Sequence, residues 1–299
     1  MALAWPGLAI TQALLDSGHR VFAAARQSAH LATLQDLGAT AVPLDVRDAA
    51  QVQQAADTVS ELGQGLFGLV HNAAVGGIGV LASWPDADVQ DLFDTNVFGP
   101  HRLTRAFLPL LLAAGGRIVC IGSQGGSITM PFMGPYTMSK HALEAYAECL
   151  RQELEPHGVA VSMVQPGAVA TDIGDKGRAG NVLRLRATPP PFADSAAAVL
   201  ASLDAPRAEQ ADAPESVSNR RAAPPSKVAD VVMHALFDAK PQARYLVGTR
   251  WEGDRVITAL IERLLDAADS PSHGLSAQEL TDRIAAQRRS RAGPSGEPG

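Results

Sequence analysis

The sequence predicts an α/β fold, a single domain built on a doubly wound parallel sheet with helices on both faces. Three observations predict it. Short apolar runs alternate with helical patterns over residues 8–167, the signature of βαβ units whose strands are buried on both faces. Arg26, Asp45, Asn72, Ser123 and Pro166 all fall where an apolar run stops, which sets them along one edge of the sheet, where such folds bind ligands. The 299 residues, 46% hydrophobic and 19% charged, suit one large domain with a sizeable core.

The elements follow in order. Residues 8–17 carry apolar positions at helical spacing, and Gly18 suits the position just past the helix end. A strand over 19–25 ends at Arg26, and a helix over 29–37 stops at Gly38. A second strand, 40–44, leads into Asp45-Val46, and Asp48 caps a helix running to 62. The strand at 66–70 opens into HNAAVGG. Residues 88–112 read as one long amphipathic helix containing Asn96 and a Gly99-Pro100 interruption. A fourth strand covers 117–122, a helix 136–154, and a fifth strand 159–164 before Pro166-Gly167.

Composition narrows the function. A formal net charge of −6 with scattered basic residues argues against a nucleic-acid surface, and the QRRSR run reads as a solvated tail. Two cysteines, Cys120 and Cys149, suggest neither a disulfide framework nor a metal site, so a reducing compartment is expected. The stretch MALAWPGLAITQ has no basic leader, and the apolar run at 107–114 is too short to span a membrane. The expectation is a soluble cytoplasmic protein.

The stretch IGSQGGSITMPFMGPYTMSK at 121–140 carries the chemistry. A strand ends in Ser123, a glycine-rich loop follows, and a helix opens with Tyr136 and presents Lys140 one turn later. Residues four apart share a helix face, so the phenol and the ammonium can meet. A free tyrosine, with a pKa near ~10, is a poor base at neutral pH. A neighbouring ammonium favours the phenolate, and a shift of roughly two or three units requires about 3–4 kcal/mol. Ser123 would hold a carbonyl or alcohol oxygen within reach of Tyr136.

Together, HNAA at 71–74, Asn96 in TNVFG, Ser123 in IGSQGG, YTMSK at 136–140 and PGAVAT at 166–171 resemble the short-chain dehydrogenase/reductase family over roughly residues 7–250. The resemblance implies a Rossmann-like fold and a Ser123, Tyr136, Lys140 and Asn96 catalytic set. Lys140 would also hold the nicotinamide ribose, and Asn96 would position a water. On the cofactor side it implies Asp45 at the adenine, Asn72 bordering the cofactor, Thr171 at the carboxamide, and Val46, Ala73, Pro166, Gly167 and Val169 beside them. Arg26, where a carboxylate would bind a free 2′-hydroxyl, suits a 2′-phosphate; the expected cofactor is NADP, with NAD as the other candidate. A small-molecule alcohol or carbonyl substrate and a homodimer or homotetramer are implied. The ALEAYAECLRQELEPHGV helix and the RYLVG ending are similar to the hydroxysteroid and retinol dehydrogenase branch, which suggests a bulky apolar substrate.

One departure stands out. The family opens with a strand and a T-G-x-x-x-G-x-G loop, whereas here Gly7 matches only the last glycine, and Trp5 and Pro6 fall within the loop. The first strand is absent from the pattern. Its loss would leave two neighbouring strands with unpaired backbone groups, so a start further upstream is expected. The alternative is a truncated, catalytically silent relative that acts as a binding or regulatory protein. Further along, 172–226, rich in Ala and Pro, reads as a mobile substrate lid or flexible insertion of the 1–250 domain. Ser226 is placed to cap a helix over 227–239, 244–247 resembles a last strand, 251–284 is a helical extension, and 285–299 reads as a disordered tail.

Overall fold

The computed structural model describes residues 6–63, 65–170, 177–204, 215–216, 220–272 and 274–292. Helix α1 (Pro6–Asp16) closes at Gly18, whose φ of 78° is left-handed, with His19 N–H donating back to the Leu14 carbonyl at 3.0 Å. Strand β1 (Phe22–Ala25) is shorter than the apolar run from 19, its pairing with the next strand beginning at Phe22 opposite Thr40; the His19 ring stacks on Phe237 at 4.2 Å. Helix α2 (Ser28–Asp36) and strand β2 (Thr40–Pro43) follow. Asp48 caps α3 (Ala49–Glu61), accepting from the Ala50 and Gln51 amides. Strand β3 (Gly68–His71) comes next.

The expected long helix over 88–112 is two helices. Helix α4 (Asp86–Phe93) passes through a π-helical turn, Asp94–Phe98, into α5 (Gly99–Ala114). Pro100 has no N–H and its ring crowds the carbonyl four residues back, which belongs to Asn96; widening the backbone there relieves the clash. Strand β4 (Arg117–Ile121), helix α6 (Gly134–Leu154) and strand β5 (Ala160–Pro166) complete the central units.

The region expected as an irregular lid is substantially helical among its described residues, with α7 (Arg178–Arg186) and α8 (Ala193–Asp204). Its polar side chains are engaged in tertiary bonds, described below. Helix α9 (Pro225–Phe237) starts ahead of Ser226, with proline in its first turn taking the place of the expected cap. Strand β6 (Arg244–Val247) leads to α10 (Arg250–Ala268).

All strands run parallel. Among the described residues β1 pairs only with β2, and a separate sheet has the order β3-β4-β5-β6. Among the described residues β1 and β3 therefore have one partner each. The core is built on β4 and β5, where Ile118, Val119, Cys120 and Val164 are wholly buried. Against one face pack Val52, Val59, Phe107, Leu111 and Leu143 from α3, α5 and α6. Against the other pack Ile10 of α1 and Val228, Val232 and Leu236 of α9. Burying each such side chain contributes roughly 1.5–3 kcal/mol, which holds the ends of these strands in fixed positions.

Residues Met1–Gly253 form one compact unit and Asp254–Gly299 a second, smaller one. In the second, α11 (Ala277–Ala292) occupies residues expected to begin a disordered tail at 285. A capping box starts it: the Glu279 carboxylate accepts from Ser276 N–H at 2.8 Å, and Glu279 N–H donates to the Ser276 hydroxyl. Among the described residues no helix is long and apolar enough to cross a membrane.

Candidate active site

Ser123 stands where β4 ends. Its hydroxyl accepts the Gly125 N–H at 3.0 Å, capping the short 3-10 turn Gln124–Gly126. The loop then enters α6, whose first turn carries Tyr136, partly exposed, and whose second carries Lys140, 2% exposed. The Lys140 ammonium donates to the Ile121 carbonyl at 2.9 Å and lies 5.8 Å from the centre of the Tyr136 ring. A Cβ on Gly125 would lie 3.4 Å from both the Ser123 hydroxyl and the Tyr136 ring, so this part of the loop packs directly between them. The hydroxyl, the phenol and the ammonium thus converge on the end of one buried strand.

The electrostatics differ from the sequence expectation in one respect. Burial pushes the Tyr136 phenol above its usual value, with hydrogen bonding to Ser123 pulling the other way. The Lys140 ammonium, near the ring, is directed to the Ile121 carbonyl. Lys140 itself is brought down to about 8 by burial, with Cys120 and Glu144 opposing.

Asn96, 1% exposed, sits in the π-turn that Pro100 imposes. Its carbonyl oxygen accepts Val75 N–H at 2.8 Å, and its amide donates to the Val75 carbonyl at 2.8 Å and to the Ser139 hydroxyl at 3.0 Å. Both amide protons are in use, so the side chain ties the loop after β3 to the residue before Lys140.

The other expected residues form separate groups along the strand ends. At β1 and β2, the Asp45 carboxylate is gripped by Arg47 at 2.7 Å, with Arg26 at 3.8 Å. Hydrogen bonding from Arg47 is the main cause that lowers the Asp45 carboxyl to about 2. Val46 is a core side chain, 8% exposed, and a Cβ on Gly99 would strike it at 2.6 Å; only its backbone remains for a ligand. At β3, Gly7 of α1 approaches Asn72 so closely that a Cβ would lie 2.6 Å from the Asn72 amide nitrogen, and Ala73 beside it is exposed. At β5, the turn Pro166, Gly167, Ala168 and Val169 is fixed by Gly167 N–H donating to the Val247 carbonyl at 2.7 Å. Thr171 lies outside the described residues.

Sequence reasoning missed Arg47, Asn181 and Arg184. Arg47 sits two residues beyond a strand-end acid, a spacing that could have flagged it. Asn181 of α7 accepts Ile78 N–H at 2.9 Å. Arg184 lies over the Trp84 ring at 4.1 Å and pairs with Asp88 at 3.3 Å. These two side chains fasten α7 to the loop that passes Tyr136, where a Cβ on Gly76 would come within 3.7 Å of the ring. A cavity of about 490 Å³ lies elsewhere, lined by Val89, Phe93, Phe98 and Met138 among others and by none of the convergent residues. Among the described residues no group of His, Cys, Asp or Glu is placed to hold a metal.

A parallel sheet flanked on both faces, with polar groups gathered at the carboxyl ends of its strands, defines the class of Rossmann-like α/β proteins. Residues 7–181 match the family model described as short chain dehydrogenase. The chain is 33% identical over 243 residues to the uncharacterized oxidoreductase YbbO of Escherichia coli K12, covering 81% of each. It is similar to the crystal structure of a short-chain dehydrogenase/reductase from Burkholderia phymatum in complex with NAD, with a TM-score of 0.69, 25% identity and coverage of 91% of this chain and 94% of that one. It is also similar to the crystal structure of an actinorhodin polyketide ketoreductase variant with NADPH, with a TM-score of 0.64, 28% identity and coverage of 82% and 92%. The chain belongs to the short-chain dehydrogenase/reductase family and is an NAD(P)-dependent oxidoreductase.

Proposed function

We propose that the chain is an NADP-preferring oxidoreductase that interconverts an alcohol with a ketone or aldehyde, on a bulky apolar substrate, through Ser123, Tyr136 and Lys140. The observation that carries this reading is the convergence of those three side chains on the end of β4, with Lys140 buried at the Ile121 carbonyl.

The residues at the strand ends fit a dinucleotide. Arg26 and Arg47 form a pair of guanidinium groups suited to a phosphate, and the tight approach of Gly7 to Asn72 leaves backbone rather than side chain at the start of α1. The NADPH found with the polyketide ketoreductase agrees with the phosphate reading, while the Burkholderia neighbour holds NAD; Arg26 decides our preference. The bound nicotinamide supplies or accepts the hydride. Ser123, which accepts the Gly125 N–H and bonds Tyr136, would turn its proton to the substrate oxygen. In reduction, Tyr136 delivers a proton to that oxygen; in oxidation it takes the proton back. Lys140 would hold the ribose and, with its ammonium turned from Ile121, would favour the phenolate. Asn96 keeps α6 in register with the loop after β3 through Val75 and Ser139.

Tyr136→Phe tests the assignment. The variant is expected to lose turnover by at least ~10³-fold while binding the nucleotide as the wild type does, since only the proton path is removed. Turnover at wild-type rates would refute the role of Tyr136.

A further inference from the structure

Glu252 is a wholly buried carboxylate, 0% exposed, that the proposed chemistry does not use. One of its oxygens belongs to a capping box that starts α10: Oε2 accepts Thr249 N–H at 3.3 Å, and Glu252 N–H donates to the Thr249 hydroxyl. A cap at a helix start is ordinarily a surface feature. This one is buried, and its second oxygen faces the other way.

Oε1 accepts Ala168 N–H at 2.8 Å, inside the turn that follows β5, and it also takes the Arg220 Nε–H. Glycines make room for the carboxylate on two sides. A Cβ on Gly167 would sit 2.1 Å from Oε2 and one on Gly248 2.3 Å from it, both far inside contact distance. Arg220 belongs to the segment that returns from the lid region. Beyond it, Ala223 N–H donates to the Ala168 carbonyl at 2.8 Å and Ala170 N–H to the Ala223 carbonyl at 2.9 Å. The Val247 carbonyl accepts both Gly167 N–H and the amide of Gln124, the residue after Ser123. The ends of β5 and β6 and the returning segment therefore meet around one carboxylate, with Gln124 joined to them through Val247.

We infer that Glu252 is a positioning residue that sets the Pro166–Gly167–Ala168 turn against the nicotinamide end of the cofactor and ties the returning lid segment to it through Arg220. This rests on the dinucleotide reading above. Oε1 is ion-paired with Arg220 as well as accepting Ala168 N–H, and a glutamine, being neutral, loses that ion pair whichever way its amide turns. Thr249→Ala removes the hydroxyl that holds the helix start, together with its bond to Glu215, which also accepts Arg221 N–H, and leaves Oε1 with Ala168 and Arg220.

The test compares Glu252→Gln, Arg220→Gln and Thr249→Ala with the wild-type chain by calorimetric titration of NADPH and of adenosine 2′,5′-bisphosphate, which lacks the nicotinamide half. Thermal melts verify folding. Glu252→Gln is expected to weaken NADPH about tenfold while leaving the bisphosphate within about twofold, and Arg220→Gln to act in the same direction; tenfold is the scale of one hydrogen bond to a charged group. Thr249→Ala is expected to lower the melting temperature without moving the ratio of the two affinities. An unchanged ratio in Glu252→Gln, or an equal change in Thr249→Ala, would overturn the inference. Amide hydrogen exchange at Ala168 and Ala223 supplies a readout that needs no ligand: faster in Glu252→Gln and Arg220→Gln than in Thr249→Ala if the carboxylate sets the turn, equal in all three if it only caps. Failure of the wild type to bind either nucleotide would strike the cofactor reading, and the exchange result would still decide the role of Glu252.

Discussion

Lys140 is an expensive group to keep in a core, and its replacement by methionine should stabilise the protein while ending its activity. Its ammonium is 2% exposed and is lowered from 10.5 to about 8 by burial. That depression corresponds to about 3 kcal/mol by which the native state disfavours the charged form. Methionine fills similar volume with no charge, but strands the Ile121 carbonyl that Lys140 now satisfies at 2.9 Å, a loss of about 1 kcal/mol. The net expectation for Lys140→Met is a gain of about 2 kcal/mol near pH 7, in line with other replacements of buried charge. The gain depends on pH. Below 8 both native and unfolded wild-type chains carry the proton and the full penalty acts. Between 8 and 10.5 only the unfolded chain binds it, so wild-type stability rises with pH. By about pH 9.5 the advantage of the variant should shrink by about 2 kcal/mol. Urea unfolding of both proteins at the two pH values measures this. A variant less stable than the wild type near neutrality, or a difference that does not change with pH, would refute the reasoning.

Two further outcomes follow from the same geometry. Asn96→Ala leaves the partly buried Val75 N–H and carbonyl without their partners and should cost about 2 kcal/mol in denaturant unfolding; a change below about 0.5 kcal/mol would mean that the π-turn is not held as described. Arg184→Met keeps an apolar stem over Trp84 but removes the bonds to Asp88 and the Ile78 carbonyl. Amides of α7 should then exchange faster while those of α5 are unchanged, and equal protection in variant and wild type would show that Arg184 does not fasten the helix.

Much of the fold was legible because its signals are local. Asp48 and Gly18 mark helix ends through bonds within a few residues of themselves, and the strand ends at Arg26, Asp45, Asn72 and Ser123 follow from apolar runs that stop. The Tyr136–Lys140 pair was legible because helix geometry alone places the two on one face. What escaped depends on distance along the chain. Arg184 meets Asp88 and Ile78 across about a hundred residues, so the segment was read as part of a mobile lid or flexible insertion. Glu252 lies in a Thr249-x-x-Glu252 pattern visible in the sequence, yet only the fold reveals that its other oxygen reaches Ala168. The direction of the Tyr136 shift escaped for a similar reason, since spacing shows that an ammonium is near but not that the fold buries the phenol.

The central claim is that the strand ends of this chain form a site for a phosphorylated dinucleotide, with Arg26 reading the 2′-phosphate. Calorimetric titration of NADPH, and then NADH, into the 299-residue chain tests it most directly. The account predicts that both bind and that NADPH binds more tightly. Tighter binding of NADH would contradict the role of Arg26, and binding of neither would contradict the site itself.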